Sequence, residues 1–139
     1  MIDFHFELEV EINNKSELSD WITRIISSEG CELGQLDFVF CDDEKLLSIN
    51  QEYLDHDTYT DIITFDYTQG SVLAGDIFIS IDRVRENAKE FKVSFFEELL
   101  RVMSHGVLHL AGYADKSDEE KKLMRKKEDE KIKMFHVEQ

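Results

Sequence analysis

Two histidines, His105 and His109, are four residues apart in the run His105-Gly106-Val107-Leu108-His109-Leu110-Ala111-Gly112-Tyr113-Ala114-Asp115. On a helix that spacing puts both imidazoles on one face, where they can grip a single metal ion. Gly112 is a natural helix terminator, and Asp115 follows six residues after the second histidine. Two fixed ligands and one that swings back is the layout of a catalytic metal site with an open position. Glu directly after the first histidine would make this a metallopeptidase signature; Gly106 stands there instead and argues against a peptidase of that type.

A histidine pair also arises by chance, as donors to backbone carbonyls or as exposed side chains. The surroundings favour metal, because the helix is otherwise apolar and two partnerless imidazoles would be costly to bury. For the third ligand Asp115 competes with His56 and His136. Its structural alternative is a place before the next helix, near Ser117, where the helix dipole favours a carboxylate.

The elements that must position these residues are legible as patterns. Phe4, Phe6, Leu8 and Val10 alternate with polar residues and predict a strand over 4–10. Leu18, Ile22, Ile25 and Ile26 predict a helix over 16–28. Strands are expected at 36–41, 62–65 and 76–81, and helices at 42–53 and 82–91. Ser94 with Glu97 reads as a capping box opening a helix whose stripe is Phe96, Leu100, Met103, Val107 and Leu110. Ser117 with Glu120 opens another. The expected fold is α+β: a mixed sheet of about four strands against several helices, the histidine helix central. At 139 residues, without proline, repeats or a linker, the chain is expected to form one domain over 1–139.

The formal net charge is −15, which argues against indiscriminate nucleic-acid binding. The charge is uneven, however. Residues 1–115 hold 8 basic and 24 acidic side chains, and residues 116–139 hold 8 basic and 7 acidic. That basic stretch is either a solvated helix face with internal ion pairs or a cationic rim beside the metal site. Cys31 and Cys41 lack metal-motif spacing. With no apolar run long enough for a membrane and no export-signal pattern, the expectation is a reducing cytoplasm.

The histidine run resembles the signature of the YbeY family, His-Gly-x-Leu-His-Leu-x-Gly-Tyr-Asp-His. Asn50-Gln51-Glu52-Tyr53, Asp57, Thr60-Asp61-Ile62-Ile63-Thr64-Phe65, Gly75-Asp76-Ile77-Phe78-Ile79-Ser80 and Met124 resemble further family segments, in the same order, over about residues 36–134. The resemblance implies a metal-dependent endoribonuclease specific for single strands. It implies one zinc ion on His105, His109 and Asp115, action on the 3′ end of small-subunit rRNA, and a part in ribosome quality control. Implied partners are single-stranded RNA and the small ribosomal subunit or its proteins.

Two positions depart from the family pattern. Its third histidine is Asp115 here, a carboxylate that suits zinc but makes the ion a weaker Lewis acid. An arginine that usually follows the Tyr/Phe is Leu54, leaving Arg83, Arg85, Lys116 and Lys121 as replacement cations. No general base is assigned, with Asp61 and Asp76 as candidates. A strand at 76–80, if at a sheet edge, is either one wall of a substrate groove or an ordinary edge strand, and residue types alone favour the ordinary strand. Rival readings are a non-haem iron(II) oxygenase, a metal hydrolase of another substrate, and a non-catalytic ribosome assembly factor that binds ribosomal proteins with a structural zinc. Nickel and manganese are rival metals.

Overall fold

Alternating aromatic residues build the first strand pair. In the computed structural model, which describes residues 1–54 and 60–136, β1 is Ile2–Phe6 and β2 is Glu32–Cys41. They run parallel with Phe4 opposite Phe38 and Phe6 opposite Phe40. The ring centroids of those pairs are 5.7 and 5.2 Å apart. Stacked cross-strand pairs of this kind fix register, since a one-residue slip would turn every ring to the other face.

The strand predicted over 4–10 therefore starts earlier and ends at Phe6. Its partner runs out: the amide of Glu7 takes the carbonyl of Phe40, one residue before β2 ends. Leu8, Val10 and Ile12 keep their inward alternation without a ladder and still pack on the core.

The remaining elements are α1 (Lys15–Ser28), α2 (Asp43–Leu54), β3 (Ile62–Asp66), β4 (Val72–Ser80), α3 (Ile81–Phe91), α4 (Phe95–Leu110) and α5 (Asp118–His136). The sheet order is β1-β2-β4-β3; β1, β2 and β4 are parallel and β3 is antiparallel to β4. The α+β expectation of a four-stranded mixed sheet with a central histidine helix is met: α4 packs against α1, α3, α5, β3 and β4. The strand at 76–80 is not an edge, because β4 pairs on both sides. It cannot wall a groove with a free backbone.

Apolar residues from alternate positions of the strands join α1, α4 and α5 in one core. A smaller cluster of Cys41, Leu46, Ile49 and Ile63 lies under α2. Gly106 explains how close α4 comes to the sheet. A Cβ there would stand 2.9 Å from Ile62 Cδ1 and 3.0 Å from Ile77 Cγ2, so only glycine fits without a shift. Its role is packing against the sheet, and it is buried.

The helix starts behave differently from one another. Ser94 Oγ accepts from the Glu97 amide, but the Glu97 carboxylate turns away to His136 at 2.7 Å, so that box is half made. Ser117 and Glu120 close theirs reciprocally. Both cysteines are free, and burial pushes the Cys41 thiol up to about 12. No helix among the described residues is long and apolar enough to cross a membrane.

An ion cluster ties α5 to α1. Lys131, 1% exposed, lies 2.7 Å from Glu29, which also pairs with Lys127 at 3.0 Å and accepts from Tyr113 Oη at 2.6 Å. Trp21 Nε1 donates to the Lys131 carbonyl at 2.7 Å. Burial alone would raise the Glu29 carboxyl; the bonds from Lys131, Tyr113 and Lys127 outweigh it and bring the pKa down to about 2. A depressed carboxylate stabilises the fold above its unfolded pKa of about 4.5 and loses that contribution as pH falls toward about 2. Glu29→Gln is expected to cost about 3 kcal/mol at neutral pH, since it strands a buried ammonium. The gap to wild type should narrow as pH is lowered through that window. Urea midpoints of both proteins from neutral pH downward check this; an unchanged gap would contradict it.

Candidate metal centre

Helix α4 delivers His105 and His109 to one face, and its end delivers Asp115. Ala111 closes the helix, and Gly112 takes φ +106°, a value that side chains rarely adopt. The amide of Gly112 bonds the His109 carbonyl and that of Tyr113 bonds the Leu108 carbonyl, both at 3.0 Å. This paired closure is the Schellman motif, and it folds the chain back over the last turn. Tyr113 then offers its carbonyl to His109 Nδ1 at 2.9 Å, and Asp115 returns to the histidine face.

The geometry fixes both imidazole tautomers. A carbonyl only accepts, so His109 carries its proton on Nδ1. His105 Nδ1 faces Glu128 Oε2 at 2.6 Å, a carboxylate that likewise accepts. In the neutral imidazoles the lone pairs are then on Nε2, and the two Nε2 atoms face each other at 2.9 Å. Asp115 Oδ2 is 3.2 Å from His105 Nε2 and 3.4 Å from His109 Nε2. Three acceptors aimed at one point repel unless a proton or a metal cation lies between them. Donors at zinc distances around a tetrahedral ion stand about 3.3 Å apart, so the set fits a zinc-sized ion. Among the described residues no other three such side chains bring ligand atoms as close.

The surroundings also favour positive charge. Burial opposes protonation of His105, but the hydrogen bond to Glu128 and the charges of Glu128, Asp115 and Asp61 outweigh it and hold its pKa above the ordinary imidazole value. Burial holds the carboxyls of Asp61 and Glu98 above the usual range. Both line a pocket of about 290 Å³ together with His105, Asp115, Arg101 and Arg125.

Of the predicted residues, His105, His109 and Asp115 come together. His136 pairs with Glu97 on the surface and takes no part. His56, Asp57 and the side chain of Leu54 lie outside the described residues. Asp61 reaches the pocket, while Asp76 pairs with Tyr67 Oη at 3.4 Å and does not line it. Among the replacement cations, Arg83 is bound to Asp43 and Arg85 lies over the Phe95 ring. Lys116 and Lys121 are exposed, and neither lines the pocket.

Sequence reasoning missed Glu128, Arg101 and Arg125. Glu128, 5% exposed, binds His105 through Oε2 and Arg101 Nη1 through Oε1 at 3.0 Å. Arg101 is one turn before His105 on the same face, a spacing that could have marked it. Glu128 comes from α5, and no local pattern links it to the histidines. The basic stretch proves to be of both kinds. Lys127 and Lys131 pair internally. Lys122, Arg125, Lys126 and Lys133 form no ion pair among the described residues, and they line a shallow depression of about 690 Å³. Arg125 belongs to that depression and to the metal pocket alike.

The profile of the family described as Endoribonuclease YbeY matches residues 4–136. The chain belongs to the YbeY endoribonuclease family. Among its relatives, the Endoribonuclease YbeY of Flavobacterium johnsoniae is 57% identical over 139 residues, covering all of both chains. That of Flavobacterium psychrophilum is 56% identical over 139 residues, covering all of this chain and 99% of the relative. The solution structure of TM1509 from Thermotoga maritima superposes with a TM-score of 0.67 at 28% identity, over 97% of this chain and 89% of that one.

A carboxylate that orients a ligand imidazole and raises its basicity is worth about 10- to 100-fold in metal affinity. Glu128→Gln is expected to weaken divalent-metal binding at this candidate centre by that factor, with the fold retained. Competition titration against a chromophoric chelator measures it. Equal affinity in variant and wild type would deny Glu128 this role.

Proposed function

We propose that this protein is a zinc-dependent endoribonuclease that cuts single-stranded RNA at a centre formed by His105, His109 and Asp115. The observation that carries the reading is the convergence of three metal-donor atoms at a pocket mouth, in a chain of the YbeY family. When bound, such an ion lowers the pKa of water and polarises a phosphoryl oxygen. The rest of the chemistry falls to the chain. Glu128 and the Tyr113 carbonyl hold the Nδ1 protons, so both Nε2 atoms stay available as ligands. Asp61, whose carboxyl pKa burial raises, lines the pocket and is the group assigned to carry a proton.

Charge grows on the phosphoryl oxygens in the transition state, so a cation must stand nearby. Arg101 is already held by Glu128 and Asp129. Arg125 has no such partner among the described residues and takes the place of the family's arginine. Lys122, Lys126 and Lys133 extend that charge along α5 and suit the sugar-phosphate backbone. The family role extends the reading to the 3′ end of small-subunit rRNA and ribosome quality control, in the cytoplasm, with the whole activity in one domain.

Metal analysis and cleavage of labelled single-stranded RNA test the reading together. Wild type should carry about one zinc and cut; His109→Ala and Asp115→Ala should lose both metal and cleavage. Metal retained in Asp115→Ala would pass the third position to another ligand. Cleavage undiminished in His109→Ala would mark a contaminating nuclease. Zinc without cleavage in wild type would instead favour an assembly factor with a structural ion.

Arg125→Ala separates binding charge from metal. It is expected to lower kcat/KM about 10- to 100-fold at unchanged zinc content. Unaltered kinetics would remove Arg125 from the reaction.

A further inference from the structure

The metal pocket has a second wall that holds no metal ligand. Helix α3 contributes Asn87 and Phe91, one turn apart on one face. Helix α4 contributes Glu98, two turns before His105. Phe91 is 51% exposed and belongs to neither apolar cluster. Asn87 is half-buried and has no hydrogen-bond partner among the described residues. Glu98 is only 4% exposed, and its carboxyl has no hydrogen bond or ion pair among them. Burial raises its pKa against the opposing charges of Arg101 and Arg125, and it lines the pocket, where an entering donor can meet it.

The charge of this wall decides what can enter. Asp61, Glu98, Asp115 and Glu128 line the pocket, Arg101 is held by Glu128 and Asp129, and Arg125 is the one lining cation without an ion pair among the described residues. One phosphate can sit against Arg125, and the four carboxyls disfavour a second one on the wall of Asn87, Phe91 and Glu98. A nucleobase is not disfavoured there, since it is neutral and flat and carries its donors on one edge. An exposed aromatic ring beside an amide and a carboxyl is the equipment with which proteins hold an unpaired base. The pocket's volume, about 290 Å³, is that of a small-ligand site.

We propose that Phe91, Asn87 and Glu98 form a subsite for one unpaired nucleobase of the RNA, stacked on Phe91 with its amino-bearing edge bonded to Asn87 and Glu98. The inference rests on the RNA-cleaving reading above and adds a preference to it. Adenine, cytosine and guanine present an exocyclic amine to the carboxyl. Uracil presents carbonyl oxygens in its place and is disfavoured. The phosphates on either side of the base remain outside, against the metal and Arg125.

The zinc-loaded full chain is titrated with short labelled adenine, cytosine and uracil homopolymers, and with one carrying an abasic position, and cleavage is followed in parallel. Wild type should prefer the adenine and cytosine strands to the uracil strand. Phe91→Ala should lose about tenfold in affinity, the size of one stacking contact. Asn87→Leu and Glu98→Gln should flatten the base preference. Phe91 and Asn87 are not core residues, so their variants keep the test open if Glu98→Gln fails to fold. Phe91→Ala and Asn87→Leu proteins that cut with wild-type affinity and base preference would overturn the subsite and leave the nuclease reading standing. A wild-type protein that neither binds nor cuts RNA would overturn both.

Discussion

Everything at the functional end of this molecule depends on where two protons sit. His105 and His109 each place a proton on Nδ1, against Glu128 and the Tyr113 carbonyl, and so present bare Nε2 atoms to each other and to Asp115. The face of α4 that carries them would be unfavourable in a protein with no cation to put there. Its cost is met by partners from two other places in the chain. One is the reversal after Gly112, which is local; the other is Glu128 on α5, which is not.

Helix α5 is therefore more than a charged surface. Its inner side holds Met124, Glu128, Lys131 and Ile132 against α1 and α4. The Lys131 carbonyl takes Trp21, and the Lys131 ammonium takes Glu29. Glu29 in turn holds Tyr113, whose carbonyl orients His109. The candidate metal-binding face of α4 is thus braced from α1 and α5 through a buried ion cluster. The outer side of the same helix carries the lysines and Arg125 beside the pocket. A net charge of −15 hides this division, because the acidic majority lies elsewhere in the chain.

The replacement of a histidine by Asp115 and of an arginine by Leu54 bears on the reaction, not on the fold. A carboxylate donor adds negative charge to the ion's surroundings and weakens its Lewis acidity. Arg125 on α5 lines the candidate pocket, and under the proposed function it supplies the cationic contact from a different element.

Much of this was legible in the residues themselves. Spacing of four and six, with a glycine between, announced that His105, His109 and Asp115 would cluster, because helix periodicity and a left-handed turn are local properties of the backbone. Alternation and three-to-four periodicity gave the elements for the same reason. What periodicity could not give was strand length and neighbours: β1 stops at Phe6 because β2 ends beside it, and β4 lies inside the sheet because β3 adds on antiparallel. Nor could it reveal Glu128 behind His105, Arg125 as the pocket's cation, or Phe91, Asn87 and Glu98 as one wall. Those groupings join residues from separate helices, and only the packing of α3, α4 and α5 decides which side chains share a pocket.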